Sequence, residues 1–312
     1  MIRDIQRADA PLLFDLMQKE FPEESALLGN RPEGFERVVR RVFRWDTRLI
    51  LGLLRLLGRP IFRMLAVEAD GKLVGSTLVT FPRVSAWVSN VVVAPAYRRR
   101  GYARRMVEEA RGTARRVGRQ YVALDVLDSN TPARTLYESM GYRRLQAKGH
   151  FLLEPATAAG TAASGNPAIR PFRRPDARPL ASIVGRQTPS GVKAVIPTGE
   201  AAFVASRLAT RMLDSEGMAW VIDRGNGAEG YVAATVSKVA SAAHVTAPVL
   251  SESLDPALGA SLTRTACAWS ATRGAPRILC LVSEHNTWGR AALESVGFRL
   301  AFSSQTLYRS VN

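Results

Sequence analysis

An α/β (α+β) protein built from two tandem copies of one unit is what this sequence predicts, and three observations predict it. Residues 61–93 alternate as a strand meander that turns at Asp70-Gly71. Residues 88–103 read as a β-branched strand, a proline stop, a basic turn and a helix start. After a stretch of small residues the same punctuation returns. Arg174-Pro175-Asp176-Ala177 echoes Arg7-Ala8-Asp9-Ala10. Gly230 answers Gly75, and Asn286, Glu294, Ser295, Gly297 and Phe298 answer Asn130, Glu138, Ser139, Gly141 and Tyr142. Spacing near 156 residues across the later matches marks a duplication at whole-domain scale.

Taken in order, residues 2–5 form a short first strand. Asp9 is the N-cap candidate of a helix that carries Leu12, Leu13, Leu16 and Met17 inward and ends near Glu20. Between 34 and 59, Arg37, Arg41, Arg44, Arg48, Arg55 and Arg59 share one stripe at helical spacing, with Val38, Val42, Trp45, Leu49, Leu53, Leu56 and Leu57 around the rest. The stripe reads as a helix, broken at Gly52 and packed on the core or on the other domain. Its rival reading is a basic amphipathic surface that meets a membrane, an acyl chain or another anionic surface such as nucleic acid. Strands follow at 61–69, 72–81 and 84–93. The helix after residue 101 buries Ala103, Met106, Val107, Ala110, Ala114 and Val117. Then come a strand at 121–127, a short helix at 133–140 stopped by Gly141, and a strand at 142–153. Residues 155–167 are small and uncharged and read as a flexible linker between domains 1–154 and 168–312.

The chain has 312 residues, a hydrophobic fraction of 46% and a net charge of +16, nearly all of it arginine. Such a field favours anionic partners without choosing among them, and leans against a strongly cationic one. Cys267 and Cys280 sit in apolar runs and read as buried thiols, not a disulfide. His150, His244 and His285 are scattered, so no metal cluster is expected. The opening residues are too polar for a signal peptide, and no apolar run is long enough to span a bilayer. A cytoplasmic protein is expected.

The basic turn is where chemistry concentrates. A strand end, a glycine and a helix N-terminus bring unpaired N–H groups and the positive end of the helix dipole to one point, and guanidinium groups suit phosphate oxygens. Arg98-x-x-Gly101-x-Ala103, preceded by V-x-V-x-P, resembles the cofactor signature of the GCN5-related N-acetyltransferases, Arg/Gln-x-x-Gly-x-Gly/Ala. A second segment, N-T-P-A-R-T-L-Y-E-S-M-G-Y from Asn130, strengthens the likeness. The resemblance implies two tandem domains, each a mixed, mostly antiparallel twisted sheet flanked by helices. It also implies acetyl-coenzyme A as co-substrate, with no metal. The backbone of Val91, Val92 and Val93 would then hold the pantetheine arm. Arg98, Arg99, Arg100, Gly101, Tyr102, Ala103 and Arg104 would cradle the pyrophosphate, Asn130 would contact the cofactor, and Tyr137 would contact it and protonate the departing thiolate. Longer acyl donors fit the same motifs.

An acceptor amine, small molecule or peptide, is the implied partner, and nucleic acid is not favoured. No general base stands out among Glu20, Glu23, Glu24, Glu68 and Asp125. In the second copy the arginines of the cradle are gone, Asp255 stands where phosphate would lie, Gly259 remains, and Leu293 takes the place of Tyr137. That copy reads as degenerate, packing on the first and shaping its acceptor groove. A non-catalytic coenzyme A sensor is the rival from another class.

Overall fold

A run of antiparallel strands, a parallel crossover and a return strand recur twice in the computed structural model, which describes residues 1–20, 40, 42–154, 165–203, 215–237 and 242–312. The first half holds β1 (Ile2–Asp4), α1 (Ala10–Glu20), α2 (Trp45–Leu56), β2 (Phe62–Ala69), β3 (Lys72–Thr80), β4 (Ser85–Val93), α3 (Tyr102–Arg116), β5 (Tyr121–Leu127), α4 (Thr131–Ser139) and β6 (Arg143–Leu153). The second holds β7 (Ile169–Pro171), α5 (Ala177–Gln187), α6 (Ser190–Val195), β8 (Ser215–Asp223), β9 (Ala228–Ser237), β10 (Ala242–Thr246), β11 (Val249–Leu250), α7 (Pro256–Ala271), β12 (Arg277–Ser283), α8 (Thr287–Val296) and β13 (Arg299–Ser310). The linker at 155–164 lies outside the described residues, as do Glu23, Glu24, Arg37, Val38 and Arg41.

All thirteen strands join one sheet, in the order β1-β2-β3-β4-β5-β13-β6-β12-β10-β9-β8-β7, with β11 beside β9. The pairs β4–β5 and β10–β12 are parallel and the others antiparallel. The centre is interleaved. β13 lies between β5 and β6, while β6 pairs on its other side with β12. Each half therefore completes its sheet with a strand of the other, and hydrogen bonding runs across the boundary that the repeat draws between 154 and 168.

Two apolar clusters fill one face of the sheet. Val107, Ala110 and Ala114 of α3 meet Val88, Leu124, Val126 and Leu307 in the first. Leu262, Ala266 and Cys267 of α7 meet Ile222, Val232, Ile278 and Phe151 in the second. Cys267 and Cys280 are buried free thiols, and burial pushes the Cys267 thiol up to about 12, leaving it protonated. Gly75 and Gly230 are glycines for the same reason. A Cβ would stand 2.7 Å from the Val92 carbonyl oxygen in one case and 2.9 Å from the Ile222 side chain in the other.

The duplication extends to single hydrogen bonds. Arg3 grips Asp9 with bonds of 2.6 and 2.9 Å, and Asp9 accepts from the Gln6 N–H at 2.7 Å. Arg170 grips Asp176 at 2.8 and 2.8 Å, and Asp176 accepts from the Arg173 N–H at 2.7 Å. Asp9 thus reaches back to the entry turn instead of capping α1, because the chain makes a 3₁₀ turn at Arg7–Asp9 first. The arginine partners hold both carboxyls below the usual range. A folded-state pKa below the unfolded one gives stability that is present above the unfolded value and lost as pH falls through the folded one. Asp176→Asn is therefore expected to cost about 1.5–3 kcal/mol at pH 7. Thermal melts should show that difference shrinking toward pH 3. A constant difference across that range would count against the assignment.

Two expectations about packing are overturned. Leu12 is 56% exposed, since only Leu13 of that helix reaches the core. α2 runs through Gly52 without a break, and none of its described side chains is fully buried. Trp45, Leu49, Leu53, Leu56 and Leu57 are exposed instead of core-packed. Helical spacing reports that apolar residues share a face, not what covers that face.

Candidate active site

β4 and β5 part company in the first half. They pair only from Ser85↔Tyr121 to Val88↔Leu124, although β4 stays on β3 as far as Val93↔Gly75 and β5 stays on β13 as far as Leu127↔Ser304. A wedge opens between Ser89–Val93 on one side and Asp125–Leu127 on the other. A bulge helps to open it: Thr77 of β3 faces two residues of β4, Asn90 and Val91, and Asn90 has φ 54°. Thr77 Oγ1 fixes the bulge by donating to the Ser89 carbonyl at 2.9 Å. Ala94 N–H bonds the Val74 carbonyl, so alternation turns the peptide groups of Val91 and Val93 toward the wedge and those of Val92 toward β3.

The wedge leads to the N-terminus of α3. Gly101 is its N-cap, with φ 79°, and no side chain accepts from its first turn. Its leading N–H groups therefore have no side-chain acceptor among the described residues, the arrangement that suits helix N-termini to anions in general. Arg99 also takes a left-handed conformation, φ 63°. That costs a residue with a Cβ roughly 1–2 kcal/mol and is the kind of local strain that collects at ligand sites. Space beside Gly101 is open, with nothing within 4 Å of where a Cβ would stand.

The arginines divide their work. Arg98 donates to the Val93 carbonyl at 3.1 Å and pairs with Glu20, so it latches the end of α1 to the end of β4. Arg100 lies over the Tyr97 ring, 5.2 Å from its centroid. Arg104 donates to Ser139 Oγ at 2.7 Å and joins α3 to α4. Arg99 and Arg100 make no salt bridge among the described residues. Tyr102 and Ala103 are half-buried in the first turn of α3.

α4 brings the second motif to the wedge. Asn130 caps it, accepting from Ala133 N–H at 3.2 Å. Tyr137 is buried on its inner side, 6.0 Å from the Tyr142 ring. Burial pushes its hydroxyl up to about 12, so it stays protonated and able to donate. The Tyr142 hydroxyl is sealed in without a partner, whereas that of Tyr137 is not among the enclosed unpartnered atoms. Of the base candidates, Glu20 is engaged by Arg98 and Glu68 by Arg3 at 2.9 Å. Asp125 stands at the fork of the wedge.

The second half closes the same place. Asp255 caps α7 with its own carboxylate, accepting from Ala257 N–H at 2.8 Å. An internal anion thus fills the position that the first half leaves open. Asn286 caps α8 and also donates to the Pro248 carbonyl at 3.0 Å, a stitch across the gap between β10 and α8. Gly259 is not a turn glycine. It lies inside α7, where a Cβ would stand 2.5 Å from the Leu250 side chain. Leu293 is fully buried. Sequence reasoning missed the latch of Arg98 and the stitch of Asn286, since each joins side chains to backbone across separate elements.

A bulged strand splayed from its parallel neighbour thus stands over an uncapped, arginine-flanked helix N-terminus. Residues 13–142 match the acetyltransferase (GNAT) family. The chain is 33% identical over 109 residues to streptothricin acetyltransferase of Streptomyces lavendulae, a match covering 33% of this chain and 53% of that protein. It therefore spans about half the length of this curated relative. Over the whole chain the fold is that of a tandem GNAT protein from the clavulanic acid biosynthesis pathway, with a TM-score of 0.67 at 18% identity, covering 100% of this chain and 98% of that one. A GCN5-related N-acetyltransferase from Sphaerobacter thermophilus gives 0.64 at 16%, covering 100% and 96%.

Proposed function

We propose that the chain is an acetyl-coenzyme A-dependent N-acetyltransferase that works in residues 1–154, with residues 168–312 as a closed copy. The observation that carries this is the contrast between the two helix N-termini: open at Gly101, filled by Asp255. Acetyl-coenzyme A supplies a thioester that an amine can attack directly, so the chain needs to hold and polarise without a covalent intermediate. The N–H groups of residues 101–104, with Arg99 and Arg100, would hold the pyrophosphate. The wedge-facing peptide groups of Val91 and Val93 would take the pantetheine arm as an added strand, and a N–H there would polarise the carbonyl. Asn130 has its amide N–H₂ to offer. Tyr137 donates a proton to the thiolate, and the burial that holds the phenol protonated acts equally on a thiolate beside it. Arg98 serves by positioning β4 and α1 and not as a phosphate ligand.

The acceptor is an amine. The name of the streptothricin-acetylating relative supports a small-molecule acceptor. The second half packs on the first, where Ser85 of β4 donates to the Val195 carbonyl of α6, and would shape the groove from that contact. The membrane-facing alternative draws support from the exposed apolar side of α2, but Arg44 of its basic stripe is engaged by Asp46 at 3.0 Å. Calorimetric titration with acetyl-coenzyme A tests the reading. One site per chain is expected. Two sites would mean that the second copy also binds, and none would sink the proposal.

A further inference from the structure

The face of the central sheet away from α3 carries a cluster of side chains that the cradle does not use. Leu124 and Val126 point into the α3 core, so Asp125 between them points to the opposite face. There it accepts two bonds from the Lys148 ammonium, 2.9 and 3.0 Å, and one from Thr306 Oγ1, 2.6 Å. The same ammonium lies 4.9 Å from the centroid of the Trp87 ring. Three strands, β4, β5 and β13, thus contribute one side chain each to a box around the Lys148 alkylammonium of β6. The Lys148 side chain is only 11% exposed. His150, beyond it on β6, bonds Ser304 at 2.8 Å and stacks on Phe302, and burial pulls its imidazole down to about 4. It is neutral at physiological pH and adds no charge to the box.

Position makes the box more than a strut. Asp125 is the first residue of β5 after its pairing with β4 ends at Val88↔Leu124. One face of the wedge is covered by α3 and α4, so an acceptor must come to the thioester from the other face, past Asp125. The second half supplies an independent comparison. Val245 pairs with Cys280 there as Val88 pairs with Leu124, which puts Leu281 in the place of Asp125 and His244 in that of Trp87. The carboxylate is present in the half with the open wedge and absent from the half with the closed one.

We infer that Asp125 and the Trp87 ring form the seat of the acceptor's ammonium group, that the acceptor is a primary alkylamine which releases its proton to water before the free amine attacks, and that Lys148 holds the seat until the acceptor displaces it. This rests on the acetyl-transfer reading for its place in a reaction, but binding at the seat is measurable without turnover. The probe is n-butylamine at neutral pH, with n-butanol and aniline as controls. Removing the internal competitor in Lys148→Met should tighten n-butylammonium binding about ten-fold by calorimetry, and adding Asp125→Asn should abolish the gain. In thiol-release assays, Asp125→Asn should raise KM for n-butylamine about ten-fold while acetyl-coenzyme A affinity is unchanged. Trp87→Phe keeps the shape of the box and should weaken binding by a few-fold, about what a poorer cation–π partner costs. Equal binding by Lys148→Met and the double variant would overturn the proposal. So would n-butanol or aniline binding as well as the ammonium. If no variant binds acetyl-coenzyme A, the transferase reading falls, and the calorimetric arm still decides the seat.

Discussion

Replacing Tyr137 by phenylalanine is expected to lower kcat by roughly 10²-fold or more, the usual contribution of a positioned general acid. The ring fills the core between α4 and the sheet, and phenylalanine keeps that volume, so stability and acetyl-coenzyme A affinity should change little. The hydroxyl makes no hydrogen bond among the described residues, so its removal leaves no orphaned partner. The substitution therefore reads out chemistry, not folding. Steady-state kinetics with an amine acceptor, beside calorimetry of the cofactor, separates the two. Unchanged kcat would remove Tyr137 from the mechanism. Binding and downstream output that both survive would favour a coenzyme A sensor.

Gly101→Asp should weaken acetyl-coenzyme A binding by on the order of 10²–10³-fold, because a carboxylate about 4 Å from a phosphate costs several kcal/mol at a protein surface. The second half already shows this design: Asp255 caps α7 with its own side chain. Gly101→Ala separates charge from backbone. Its Cβ meets nothing within 4 Å, so only the positive φ of 79° penalises it, by roughly 1–2 kcal/mol. Calorimetry should rank wild type above Gly101→Ala and both well above Gly101→Asp. An aspartate variant that binds as tightly as the alanine variant would show that the anion does not sit at this turn.

Local chemistry was readable in the residues. The strand 121–127, the Asp70-Gly71 turn and the α3 core positions Met106, Val107, Ala110 and Ala114 are set by period and turn preference over a few residues, and the structure has them there, while Ala103 and Val117 are only half-buried. The open cradle and its filled counterpart were readable for the same reason, since Gly101 and Asp255 act on the helix that follows each. Long-range facts were not. Nothing near Asp125 in the chain signals Lys148 or Thr306, the latter 181 residues away. Leu12 and the apolar side of α2 look like core from their spacing, and only the packed molecule shows them exposed.

The interleaving of β6 and β13 makes the first half dependent on chain that is synthesised much later. β5 can find its second neighbour, opposite β4, only once residues 299–310 exist, and Arg111 reaches Val311 across 200 residues. Pairings this distant in sequence carry a large loop-closure cost and slow the search for the native state. Until they form, β5 and β6 present bare edges that invite pairing with another chain. The closed copy, silent in catalysis on our reading, thus retains a use as the intramolecular partner that completes the working half.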